Sequence, residues 1–116
     1  MAVDTMPALI IPADPAQDWR IIELSRRATP QLKQLQDAVG GYLEAVRLPA
    51  MGLLWLNEEG VLKGLPYNHF ASVIAVQPIV GDVVVTGTED ADGDITPIGD
   101  DWLEHARMRK ERMNNA

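Results

Sequence analysis

Ile79-Val80-Gly81-Asp82-Val83-Val84-Val85-Thr86 is the stretch whose reading decides the fold. It is short, apolar and rich in β-branched residues, which suit a pleated, half-buried surface and fit a helix poorly. A strand is therefore expected here. On its C-terminal side Asp92-Gly93 is a hairpin-turn signal, with the chain returning through Ile95 to Ile98. An acidic hairpin over about 87–99 then leads into a last helix over about 100–113, acids in its first turn and bases in its last, as the helix dipole favours.

On the N-terminal side Asn68 is a good cap for a short helix through Ala75. Asn57-Glu58-Glu59-Gly60 is turn chemistry. The apolar run Met51 to Leu56 enters that turn and Val61-Leu62 leave it, which predicts a hairpin over Leu53–Leu62. Further back, Leu32, Leu35, Val39, Tyr42, Leu43 and Val46 recur at steps of three and four and predict a helix from Pro30 to Val46. Thr29 is its expected cap, and Pro30 occupies the first helical position, where a missing N–H costs nothing. Gly40-Gly41 interrupts the stripe, at about 1 kcal/mol per glycine relative to alanine. Close approach of another piece of backbone would account for the pair; a helix break is the alternative. Pro7 to Ala13 and Trp19 to Leu24 read as two opening strands. The order β-β-α-β-β-α-β-(β)-α has more hairpins than crossovers. It implies an α+β fold, a mostly antiparallel sheet with helices packed on one face.

A chain of 116 residues is expected to form one domain over 1–116, with about two-thirds of its unfolded surface buried. Hydrophobic content of 47% against 23% charged residues is globular, and no apolar run approaches the ~20 residues of a membrane span. The opening Met1-Ala-Val-Asp-Thr-Met-Pro7 has an early acid and no basic leader, so a cytoplasmic protein is expected rather than a secreted one. Cysteine is absent, which removes disulfides, thiol nucleophiles and zinc-thiolate sites together. A net charge of −7 argues against direct nucleic-acid binding as the main business, because such proteins carry a basic footprint.

Catalytic material is thin. His69 and Ser72 lie one turn apart on the short helix, but nothing marks an orienting group or an oxyanion site. His69 and His105 give no zinc-ligand spacing. Thr88 to Gly99 superficially matches a calcium loop through Asp90, Asp92 and Gly93, yet Thr88 and Gly99 stand where the strongest ligands belong. Neither Gly40-Gly41 nor Gly60 to Gly64 opens a helix after a strand, so neither is a phosphate loop. Glu58-Glu59 is a carboxylate pair in a turn, where solvation is its ordinary role. The basic run Arg107 to Arg112 fits at most an assisting contact with nucleic acid or an acidic partner. No catalytic residue, metal or cofactor is expected.

Four segments read together carry a resemblance: Val39-Gly40-Gly41-Tyr42-Leu43-Glu44, Trp55-Leu56-Asn57-Glu58-Glu59-Gly60, Leu65-Pro66-Tyr67-Asn68 and Ile79 through Gly87. In order and spacing they are similar to a small domain of unknown function common in actinobacteriophage genomes, mycobacteriophages among them. That domain also occurs in bacteria, sometimes near mobile-element and anti-restriction genes. The resemblance covers Leu32 to Gly87, leaving the acidic hairpin and last helix outside the shared pattern. It implies no established activity. It does imply that Gly40, Gly41, Glu44, Asn57, Glu58 and Asn68 converge, either framing a pocket or satisfying loop backbone groups. The second role predicts that Asn68→Ala costs about 1 kcal/mol.

The function expected first is a phage-type accessory protein, non-catalytic, that binds and perturbs a host protein in the host cytoplasm. An acidic nucleic-acid mimic acting against defence enzymes comes second. A small-molecule binder or minor enzyme using Glu44, Asn57, Glu58 and Asn68 comes third. Homo-oligomerisation is open, since the last helix could pack on its own domain or on a second copy.

Overall fold

The computed structural model describes residues 4–115, with side chains described through Arg112. Met1 to Val3, part of the N-terminal reading above, lie outside the described residues, as does Ala116. The chain runs β1 (Thr5–Ile11), β2 (Arg20–Ser25), α1 (Ala28–Val39), β3 (Leu43–Arg47), β4 (Leu53–Asn57), α2 (His69–Ala75), β5 (Val83–Thr86) and α3 (Asp100–Asn115). The strands form one sheet in the order β2-β1-β5-β4-β3, and every neighbouring pair is antiparallel. The α+β class and the antiparallel sheet are as the sequence implies. No helix among the described residues is long and apolar enough to cross a membrane.

Of the segment expected as a strand only Val83–Thr86 is one; Ile79 to Asp82 lead into it, with an isolated bridge between Val80 and Tyr67. All of β5 is buried, flanked by β1 and β4. Pro7 sits inside β1 without breaking it. Arg26 N–H donates to the Asp4 carbonyl at the start of the β1–β2 ladder, and alternation from that pair turns Pro7 away from β2. Its missing N–H therefore costs no ladder bond.

The expectations for the long helix, its cap, the following hairpin and the covered face are corrected. The helix predicted to run to Val46 stops at Val39. Gly40 adopts the left-handed conformation (φ 80°) and its N–H donates to the Gln36 carbonyl, closing the helix. Thr29 and Pro30 lie in the first turn, while the N-cap position is Arg27, without a side-chain cap. Leu43 to Arg47 then becomes a strand through its pairing with β4, which sends Leu43 to the α1 face of the sheet and Val46 to the other. The hairpin is displaced for the same reason. β4 pairs backwards with β3 through the Leu48–Gly52 turn, so Val61 and Leu62 form no strand.

The helices cover both faces of the sheet, not one. Met6, Ala8, Ile10, Leu24 and Val84 pack beneath Leu35 and Val39 of α1. Leu9, Ile11, Leu54, Leu56, Val83 and Val85 point the other way, against Ala71 and Ala75 of α2 and Ala106 of α3. Successive side chains of a strand point to opposite faces. Strands as continuously apolar as β1 and β5 therefore need cover on both sides, each buried aliphatic side chain contributing about 1.5–3 kcal/mol.

α3 packs on its own domain. The Arg109 guanidinium lies 4.3 Å from the Phe70 ring centroid and 5.0 Å from that of Trp19. His105 stacks on Trp19 at 5.7 Å. Within the basic run, Arg109 is thus turned onto aromatic rings and Arg107 is paired with Glu104.

Candidate functional site

The predicted polar residues divide between two places. At the end of β4, Asn57 is 2% exposed and works entirely on backbone. Its Nδ2 donates to the Val39 carbonyl at 3.2 Å, and its Oδ1 accepts from Glu59 N–H at 2.8 Å. It fastens the last turn of α1 to the end of β4 and starts the following turn. Gly41 makes room for it, since a Cβ there would lie 2.9 Å from Asn57 Nδ2 and 3.0 Å from Lys63 Nζ. Glu58 N–H donates to the Tyr42 carbonyl at 2.8 Å. Gly40, Gly41, Asn57 and Glu58 therefore meet at one point, with Glu44 on the adjacent wall beside Glu58 and Val61.

Asn68 stands apart as the N-cap of α2. It is 1% exposed, and its amide is fully used. Nδ2 donates to the Ile11 carbonyl (3.0 Å) and the Gly81 carbonyl (2.9 Å), while Oδ1 accepts from Ala71 N–H (3.1 Å). Below it, Ser72 Oγ donates to the Asn68 carbonyl at 2.7 Å and accepts from Ile79 N–H at 2.9 Å. That hydroxyl is buried structure, and His69 lies against the Phe70 ring instead of pairing with it.

The turn that Asn57 starts is compact. Lys63 N–H donates to the Glu59 carbonyl, Gly64 to Val61 and Leu65 to Gly60. Gly60 is pressed on the segment before β5, where a Cβ would lie 2.8 Å from Val80 Cγ2. This ordered turn lifts Val61 and Leu62 into solvent, 81% and 87% exposed. Beside it Tyr42 is also exposed, across a groove from Lys63. Val76 ends α2 in the left-handed conformation (φ 55°), a rare state for a β-branched residue. A narrow groove of about 160 Å³ separates Val61 from Pro78 and Val80, with Glu44 and Glu58 along it. A second, of about 390 Å³, runs between Tyr42, Gly41 and Lys63.

Val61 and Leu62 read as a return strand, although the sequence holds a signal against it. Two adjacent aliphatic residues between Gly60 and Gly64 are too close to the turn for a strand of useful length. The positive φ of Val76 leaves no mark in the sequence.

After β5 the chain over 87–99 turns back on itself, with a bridge between Glu89 and Ile95. Asp90, Asp92 and Asp94 come within 4.8 Å of one another, all exposed. Asp90 Oδ1 accepts from Asp92 N–H (2.9 Å) and Asp94 N–H (3.0 Å), so the turn itself explains the grouping. The Glu89 carboxylate accepts from Arg47 Nη2 at 2.7 Å. Hydrogen bonding from its own backbone, and then the Arg47 guanidinium, hold Glu89 below the usual carboxylate range. Between this hairpin and α1 lies a cleft of about 700 Å³ over Trp55, whose indole N–H donates to Thr86 Oγ1 at 3.0 Å.

The family model for a domain of unknown function (DUF3846) matches residues 6–111. The match reaches well beyond Leu32 to Gly87 and takes in the hairpin and most of α3, correcting the expectation that both lie outside the shared pattern. Physically this is required, because β1, β2 and α3 close the two cores. No curated protein matches the chain. A solved structure, the crystal structure of small RNA methyltransferase HEN1, is similar with a TM-score of 0.61 and 17% identity, over 84% of this chain and 15% of that one. At that identity the likeness is one of fold alone.

Proposed function

The chain belongs to the DUF3846 family of domains, and we propose that it acts as a non-catalytic protein-binding module, a phage-type accessory protein that perturbs a host protein through the turn at Val61-Leu62. The observation carrying this reading is an ordered turn that holds two aliphatic side chains almost wholly in water. Exposed apolar groups on a mobile loop would mean little. Here Asn57, Gly41 and Gly60 fix the backbone beneath them, so little ordering entropy remains to be lost on binding. Each side chain would contribute about 1.5–3 kcal/mol on full burial. The surrounding pattern is that of an interface: apolar at the centre, with Glu58, Glu59 and Lys63 along the rim. The partner it fits is a host protein with an aliphatic-lined depression.

The test is capture of partners from nuclease-treated actinobacterial lysate by the tagged protein and by Val61→Ser/Leu62→Ser. The expected result is one stoichiometric host protein, retained at high salt by the native chain and lost by the variant. Retention by both would overturn the assignment to this turn. A partner released by salt from both would favour the acidic-mimic reading, because charge mimicry is screened.

A further inference from the structure

The two edges of the sheet are finished differently. At β2, residues Glu23 and Ser25 turn their backbone groups outward, and α1 supplies side-chain amides to meet them. Gln34 donates to the Glu23 carbonyl at 3.0 Å and accepts from Ser25 N–H at 2.7 Å, while Gln31 donates to the Ser25 carbonyl at 2.9 Å. Those two glutamines do for the C-terminal end of β2 what a neighbouring strand would do.

At β3 nothing comparable is present among the described residues. Glu58 N–H donates to the Tyr42 carbonyl and Leu48 N–H to the Gly52 carbonyl, fixing the bonded pairs at both ends of the β3–β4 ladder. Antiparallel pairs alternate. Glu44 and Val46 therefore face β4, and Leu43, Ala45 and Arg47 present their N–H and C=O groups to the outside.

We infer that β3 pairs with β3 of a second copy of this chain, antiparallel about a twofold axis at Ala45, making one continuous ten-stranded sheet. The edge is self-complementary in that register. Ala45 faces its own copy, and a methyl group on the axis clashes with nothing. Leu43 lies opposite Arg47 of the other copy, whose aliphatic stem can cover it, and Glu44 lies opposite Val46. A shift of the axis to Glu44 would set that glutamate against its own copy. A shift to Val46 would bring Pro49, which has no N–H, opposite Leu43. The pairing uses a surface separate from the Val61-Leu62 turn and stands whether or not that turn binds a host protein.

Sedimentation equilibrium over a wide concentration range tests it, together with hydrogen exchange. The mass should rise from one chain to two, with the Leu43, Ala45 and Arg47 amides becoming protected as it does. Ala45→Pro removes only an outward N–H and spares the β4 ladder. Ala45→Lys keeps the N–H and places like charges across the axis, serving as the second variant should proline disturb the strand. Either variant, once circular dichroism shows it folded, should remain at the mass of one chain. A native chain that stays monomeric would overturn the proposal. So would a folded Ala45→Lys that still dimerises, or edge amides that exchange as fast in the dimer as in the monomer. Protection of those amides only on adding a different protein would overturn it in favour of a foreign strand.

Discussion

The turn after β4 and the hairpin after β5 use the same local device at different depths. In each, a side-chain oxygen accepts backbone amides just downstream: Asn57 Oδ1 from Glu59, Asp90 Oδ1 from Asp92 and Asp94. Asp90 does this in open solvent, where water would serve its partners almost as well. Asn57 does it buried, and also holds a carbonyl of α1. Their displays differ in the opposite sense. The hairpin shows carboxylates, which water solvates, whereas the turn shows Val61 and Leu62, which water does not reward. An acidic tip explains itself. An apolar tip on a deeply fastened base is the surface the proposed partner would cover.

Burial depth should rank the consequences of breaking these devices. Asn68→Ala, the deepest case, strands two carbonyls and one amide and should lower stability by roughly 3 kcal/mol in urea unfolding. Asn57→Ala should cost about 2 kcal/mol by the same measurement and weaken partner capture as well. An Asp90→Ala loss as large as that of Asn57 would erase the distinction; about 0.5 kcal/mol is expected for the exposed turn. Gly41→Ala should cost about 1 kcal/mol, because the new methyl displaces the Asn57 amide. Leu62→Ser should leave stability within about 0.5 kcal/mol while abolishing capture, separating display from support.

The smallest effect expected is one of pH. Glu89 titrates lower in the folded chain than its ordinary value, so its contribution is complete above that ordinary value and fades as pH falls through the lowered one. Replacing Arg47 with methionine should move the Glu89 titration part of the way back, as followed by NMR. No movement would mean that the backbone hydrogen bonding alone sets it.

What was legible in the sequence was local. β5, the Asn68 cap, the Asp92-Gly93 turn and the dipole-matched ends of α3 each depend on neighbours a few residues away. Gly40-Gly41 was legible as an anomaly and ambiguous between a close approach and a helix break, since Leu43 and Val46, three residues apart, continue the helical stripe beyond it. The tertiary pairing of β3 with β4 decides between them. The candidate site was partly legible in the same way. Asn57 and Gly41 belong together, but Asn68 spends its amide on Ile11 and Gly81, carbonyls that only the folded sheet brings near. The cap alone suggested a cost of about 1 kcal/mol; those distant partners supply the rest.

The strand order carries a consequence for the chain as it is made. β1 emerges early and β5 last among the strands, yet they lie side by side in the middle of the sheet. A nascent chain that has not yet reached Val83 can form two hairpins, β1 with β2 and β3 with β4, but has nothing to join them. Each half waits with an uncovered apolar flank, and assembly becomes one late closure over a long stretch of sequence. The chain is thus most exposed to misassembly just before Val83-Val84-Val85-Thr86 leaves the ribosome.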